Sequence, residues 1–156
     1  MKKIVLTIIF ILFISIIACS QVKKHVYSKI SEINKMELYS TSFSDSVGSN
    51  DIYIKYNVVY HYTTNHFDKK EIRKIVVDID NSVDQIQEIY YIYDYKLIYC
   101  FVREFEYNQQ TSDFEFFIDG NKMKFYFDGI KFGKKKDDPI IYGILKHDIE
   151  LYKRHF

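Results

Sequence analysis

From Val22 to Leu38 the apolar positions Val22, Val26, Ile30, Ile33 and Leu38 recur mostly three or four residues apart, and Lys23, Lys24, Lys29, Glu32 and Lys35 fill the other faces. That spacing predicts an amphipathic helix over 22–38. Such a helix leaves almost no linker after residue 19; the competing reading is that residues 20–27 carry no regular structure. Ser40 to Asn50 is dense in turn formers and reads as a loop. At Ile52 the period drops to two. Ile52, Ile54, Tyr56, Val58, Tyr60 and Tyr62 alternate with more polar neighbours, which predicts a strand over 52–63. Further strands are expected at 72–79, 86–93 and 96–107, with turns at Thr64 to Asp68, Asp80 to Asp84 and Asp94-Tyr95. Both faces of the strand at 96–107 are apolar around Leu97 to Val102, so it should lie centrally in the sheet.

Asp119-Gly120-Asn121 separates strands at 114–118 and 122–127, a strong hairpin signal because Gly accepts positive φ. Asp128-Gly129 can turn into a further short strand, Ile130 to Phe132. Asp138 as N-cap and Pro139 at the first helical position open a C-terminal helix, 139–154, with Ile141, Leu145, Ile149 and Tyr152 along one stripe. Helix, about six consecutive strands and helix imply an α+β domain. Short connections make an antiparallel meander its natural topology. Both helices are expected on one face, leaving the other to solvent or a partner.

Composition narrows the functional classes. The 156 residues are 47% apolar and 18% aromatic, with 15 Tyr, 13 Phe and no Trp, which excludes a disordered chain and suits one domain. A formal charge of +1 gives no field that would gather nucleic acid, so no nucleic-acid partner is expected.

The first residues carry a different kind of signal. Met1-Lys2-Lys3 is basic, and Ile4 to Ala18 holds no charge. Fifteen residues at 1.5 Å rise span about 22 Å, short of a roughly 30 Å hydrocarbon core. Residues 1–18 therefore read as an export signal. Ile16-Ile17-Ala18-Cys19 resembles the lipobox of bacterial lipoproteins. That resemblance implies cleavage before Cys19 and acylation of its thiol, so that residues 19–156 form a single domain held on a membrane. An uncleaved anchor helix and an ordinary signal peptide with an unmodified Cys19 are the competing readings, and either exports the domain. Ser20 does not look like a retention signal for the inner membrane, which favours the outer membrane. With Cys19 acylated, Cys100 is the one remaining thiol and no internal disulfide can form.

The segment Glu88 to Tyr99, Glu-Ile-Tyr-Tyr-Ile-Tyr-Asp-Tyr-Lys-Leu-Ile-Tyr, is similar to a strand–turn–strand pattern in small bacterial lipoproteins of unknown function, and Phe114 to Met123 echoes its second half. Tyr95 departs from that pattern, which often has Gly beside the Asp. The resemblance implies no activity.

Catalytic signatures such as Gly-x-Ser-x-Gly, His-Glu-x-x-His, a phosphate-binding Gly-rich loop or Cys-x-x-Cys do not occur in the sequence. Cys100 lies between Tyr99 and Phe101 in an apolar strand, where a thiol is inert. Asp78, Asp80 and Asp84 fail the calcium-loop register, because Val83 and Ile89 occupy positions that need Gly and Glu. His61 and His66, and likewise His147 and His155, have spacings unsuited to a shared ion; His25 stands alone. Lys134 to Lys136 are followed at once by Asp137 and Asp138, which marks a solvated loop. No metal, no cofactor and no catalytic residue is therefore expected.

The tyrosines carry the functional promise. Tyr90, Tyr91, Tyr93 and Tyr95 crowd one turn, and Tyr offers large contact area with a polar tip, as binding surfaces do. The competing explanation is strand propensity at the rim of the core. The sequence thus points to a non-enzymatic, lipid-anchored envelope protein that binds an envelope or secreted protein, of the inhibitor, immunity or complex-subunit type. A carrier of a lipid or small apolar ligand is the alternative, and a hydrolase gathering residues such as His61, Asp78 and His147 is the third.

Overall fold

Residue 21 is already helical in the computed structural model of this chain, which describes residues 21–49, 52–81, 84–106, 109–120, 122–128 and 139–156. The export signal expected over residues 1–18, Cys19, the strand expected at Ile130 to Phe132 and the loop expected at Lys134 to Lys136 lie outside the described residues. The first helix, α1, runs through 21–35, and its last turn closes with the Met36 N–H donating to the Ile33 carbonyl at 3.1 Å. Helical geometry from residue 21 settles the segment 21–27, where Val26 is buried against the sheet.

Among the described residues seven strands follow: β1 Tyr39–Ser49, β2 Ile52–Thr64, β3 Lys70–Asp80, β4 Asp84–Tyr93, β5 Lys96–Glu106, β6 Gln109–Asp119 and β7 Lys122–Asp128. They form one antiparallel sheet in sequence order, and α2, Pro139–Lys153, closes the described chain. The α+β meander is as the alternation of apolar residues implies, with one strand more than expected. That strand, β1, replaces the loop expected over Ser40 to Asn50. An edge strand buries little, so β1 shows a weak apolar signal. Its order comes from the ladder to β2, which runs from Tyr39 opposite Tyr62 to Ser49 opposite Ile52. For the same reason β6 begins at Gln109, inside the expected loop, because the β5–β6 ladder continues to the Glu106–Gln109 pair.

The helices do not share a face. Successive strand residues point to opposite sides, and neighbours in β4 to β6 join different cores. Tyr90, Ile92, Cys100 and Phe116 pack with Leu145, Ile149 and Tyr152 of α2. Tyr91, Tyr99 and Phe117 pack with Val26 and Ile33 of α1. The α2 core also takes Val58, Tyr60, Ile75 and Val77 from β2 and β3, whereas among the described residues the α1 core draws on β4, β5 and β6. Burial on both sides is what makes Tyr90, Tyr91 and Ile92 a continuous buried run. One face is thus covered broadly by α2, and on the other the described residues of α1 pack over β4 to β6 and leave β2 and β3 open.

Two turns have defined geometry. Asp94 and Tyr95 connect β4 to β5 with φ of 53° and 61°, the left-handed pair of a tight hairpin in which Gly would be favoured at the second position. Between β2 and β3 the Asn65 side chain accepts the N–H groups of Phe67 and Lys69 at 2.9 and 3.1 Å.

Candidate functional site

Four carboxylates gather the tyrosines. The hydroxyls of Tyr90 and Tyr152 both donate to Oε2 of Glu88, at 2.8 and 3.1 Å, beneath α2. Tyr60 donates to the Tyr152 carbonyl at 2.7 Å, an oxygen near the end of α2 that also accepts the His155 N–H at 3.2 Å. On the opposite face Tyr27 of α1 and Tyr99 of β5 donate to Glu115, at 3.0 and 3.1 Å. Tyr93 donates to Glu32 of α1 at 3.1 Å, and Lys29 reaches both groups. Tyr95 donates to Glu71, which also pairs with Arg73. Each helix is therefore tied to the sheet by tyrosine–carboxylate bonds set into an apolar interface.

Burial shifts these groups. It raises the Glu88 carboxyl above the ordinary glutamate range, with the Asp148 charge adding to it, although the two tyrosine bonds pull the other way. The Tyr90 and Tyr152 phenols are raised, first by burial and then by neighbouring charge. Tyr27 is pushed up to about 12 by burial and then by Glu115. Cys100 is fully buried beside this cluster and its thiol is raised by the same desolvation, which leaves it without nucleophilic character.

The sequence-expected binding residues are thereby divided. Tyr90 is 0% and Tyr91 8% exposed, under different helices, so they do not form one exposed surface. Tyr93 is half-buried against α1, and Tyr95, at the hairpin tip, is 61% exposed. Cys19 lies outside the described residues. His61 and Asp78 lie on the α1 side of the sheet and His147 on α2, so the sheet separates the three residues that a hydrolase would have gathered. Among the described residues no three His, Cys, Asp or Glu side chains are placed to hold a metal ion, and Asp78 is engaged by Gln87 at 2.9 Å.

The open half of the α1-side face offers a different surface. Residues paired in register share a face. Ser40 and His61 pair across β1 and β2 with 2.9 Å between Oγ and Nδ1, and Ser44 donates to Asn57 at 3.0 Å. Asp78 with Gln87, and Arg103 with Asp113 at 3.0 Å, continue these polar pairs across β3 to β6. A shallow groove of about 440 Å³ runs between Lys55, Asn57, Asp80, Gln85 and Phe105. Burial, and then the Lys74 charge, lower the pKa of His61 and favour its neutral form. The Ser40–His61 pair has a nucleophile and a base in contact, but no carboxylate among the described residues bonds the ring to orient it as a catalytic pair requires. This face can form many directional hydrogen bonds with a flat ligand.

A second groove, about 560 Å³, lies between residues 21–29 of α1 and the β4–β5 hairpin. Val22, Val26, Leu97, Ile98 and Ile118 give it apolar walls, and Lys29 stands at its rim.

Sequence reasoning missed the carboxylate anchors, although a signal existed. Glu88 is in phase with Ile86, Tyr90 and Ile92, and Glu115 with Phe117, so both occupy inward-facing strand positions. Among the described residues no helix is long and apolar enough to cross a membrane. The chain matches no protein-family model, no curated protein and no solved structure.

Proposed function

We propose that this chain is a lipid-anchored protein of the bacterial cell envelope, favouring the outer membrane, whose domain recognises a protein partner through the open half of the α1-side sheet face. The lipobox resemblance at Ile16 to Cys19 supports the anchor. The observation that carries recognition is the unequal cover of the sheet: α2 spans its face, whereas α1 leaves a flat surface of cross-strand polar pairs around Lys55, Asn57, Asp78 and Gln87. A surface of that kind, without a deep cleft, suits a macromolecule better than a small substrate. Because α1 is helical by residue 21, two residues after Cys19, the domain would ride close to the bilayer.

Two measurements test this. Metabolic labelling with a fatty acid should mark the full chain and be abolished by Cys19→Ala; equal labelling of both would sink the anchor. Affinity capture with the full chain should recover a protein that is lost from the Lys55→Glu/Gln85→Arg variant, both positions being exposed. A partner that stays bound to that variant would contradict the assigned face. The groove at the start of α1 favours the carrier as the second reading, and a stoichiometric lipid co-purifying with the chain would support it instead.

A further inference from the structure

The two edges of the sheet differ in a way that has a physical consequence. The sequence of β7, one edge, includes Lys122 and Lys124, and charge in an edge strand disfavours pairing. β1, the opposite edge, is Tyr-Ser-Thr-Ser-Phe-Ser-Asp-Ser-Val-Gly-Ser: eleven residues with no Lys, Arg or Pro and a single charge, Asp45. From Tyr39 to Gly48 every side chain except Phe43 is exposed. Tyr39 and Val47, 56% and 62% exposed, are large apolar groups placed four residues to either side of Phe43.

We propose that β1 pairs with β1 of a second copy of this chain, antiparallel, about a two-fold axis at Phe43. The register follows from the sequence of the strand. Centring on Phe43 sets Tyr39 against Val47 of the second copy, Phe43 against Phe43, and Thr41 against Asp45. On the other face Ser40 meets Ser46 and Ser42 meets Ser44. Both exposed apolar groups acquire apolar partners, the favourable cross-strand arrangement. The two Asp45 carboxylates stand four residues apart along the ladder, about 13 Å, beyond the roughly 8 Å screening length of physiological salt. Centring on Asp45 would set the two carboxylates opposite each other, and centring on Ser44 would set Phe43 against Asp45. The Ser46 N–H, held by the Asp45 carboxylate at 2.8 Å, exchanges that local bond for one across the dyad. A two-fold edge pairing of β1 with β1 is isologous, and it uses up that edge in both copies. It also joins the open polar halves of two sheets into one surface. A nine-residue ladder buries less than a standard interface, so the association is weak and is favoured by confinement on a membrane.

Disulfide trapping in cells tests the register on the full chain. Two differently tagged copies are co-expressed, one Thr41→Cys and the other Asp45→Cys, and exposed briefly to a mild oxidant. Each single variant paired with itself is the control, since its thiols would then lie about 13 Å apart, beyond disulfide reach. Protease resistance of each variant checks the fold. The mixed pair is expected to give at least tenfold more cross-linked dimer than either control. Adding Tyr39→Lys and Val47→Lys to both copies should remove the dimer. Placing Lys at both positions in one copy and Glu in the other should restore it. Equal yields from mixed pair and controls, a dimer that survives the lysines, or a disulfide to a different protein in place of the dimer would each overturn the proposal.

Discussion

Replacing Glu88 by Gln should stabilise the domain at neutral pH, and replacing it by Ala should destabilise it strongly. Both tyrosine hydroxyls under α2 donate to the same oxygen, Oε2, at 2.8 and 3.1 Å. A Gln side chain keeps one carbonyl oxygen at that place and can accept both bonds, while the buried charge disappears. The gain is of order 1 kcal/mol, the modest cost of a carboxylate that is buried but well hydrogen-bonded. Ala leaves the hydroxyls of Tyr90 and Tyr152 without an acceptor, at about 1–3 kcal/mol each, and opens a cavity. The Ala variant should therefore lose roughly 3–5 kcal/mol.

The pH dependence fixes the sign. The folded carboxyl titrates above the unfolded one, so folding favours its protonated form. Below the unfolded value, near about 4.3, Glu and Gln should be equivalent. The advantage of Gln should grow as pH rises from there through the folded value, and then level off. Asp148, also raised by burial, is present in both proteins and cancels to first order from the difference. Urea denaturation of wild type and variant from pH 4 to pH 8 measures this directly. A Gln variant as unstable as the Ala variant, or a difference that is independent of pH, would refute the reasoning.

Tyr95 at φ 61° sits where Gly costs nothing, so Tyr95→Gly should raise stability by about 0.5–1 kcal/mol despite losing its bond to Glu71, as thermal denaturation would show. Ile33, fully buried between α1 and the sheet, should cost about 2–5 kcal/mol when replaced by Ala, with hydrogen exchange accelerating in α1 before α2. Cys100 should resist a thiol reagent in the native protein and react on denaturation; rapid native labelling would contradict its burial.

Much of this fold is legible in the sequence, and the remainder is hidden for physical reasons. The period-two runs in β2 to β5 and the Leu145, Ile149 and Tyr152 stripe of α2 give elements close to those observed, because each buries a regular apolar set. β1 escapes because an edge strand can be ordered by its backbone ladder while Ser and Thr occupy six of its eleven positions. The apolar character of both faces around Leu97 to Val102 places β5 within the sheet. It equally requires cover on both faces, which puts α1 and α2 on opposite sides. The tyrosines are the least legible residues. Composition cannot distinguish a phenol presented to a partner from one whose hydroxyl is satisfied by an inward Glu; only the phase of Glu88 and Glu115 along their strands separates the two.

The proposed recognition face is tested most directly by site-specific photocrosslinking in living cells. A photoreactive side chain is placed in the full chain at Lys55 or Gln85, on the open face, and at Lys146 or Glu150, exposed on α2. A discrete protein adduct from positions 55 and 85, absent from 146 and 150, is the expected result. Adducts from the α2 positions alone, or from none of the four, would contradict the assignment of this sheet face as the binding surface.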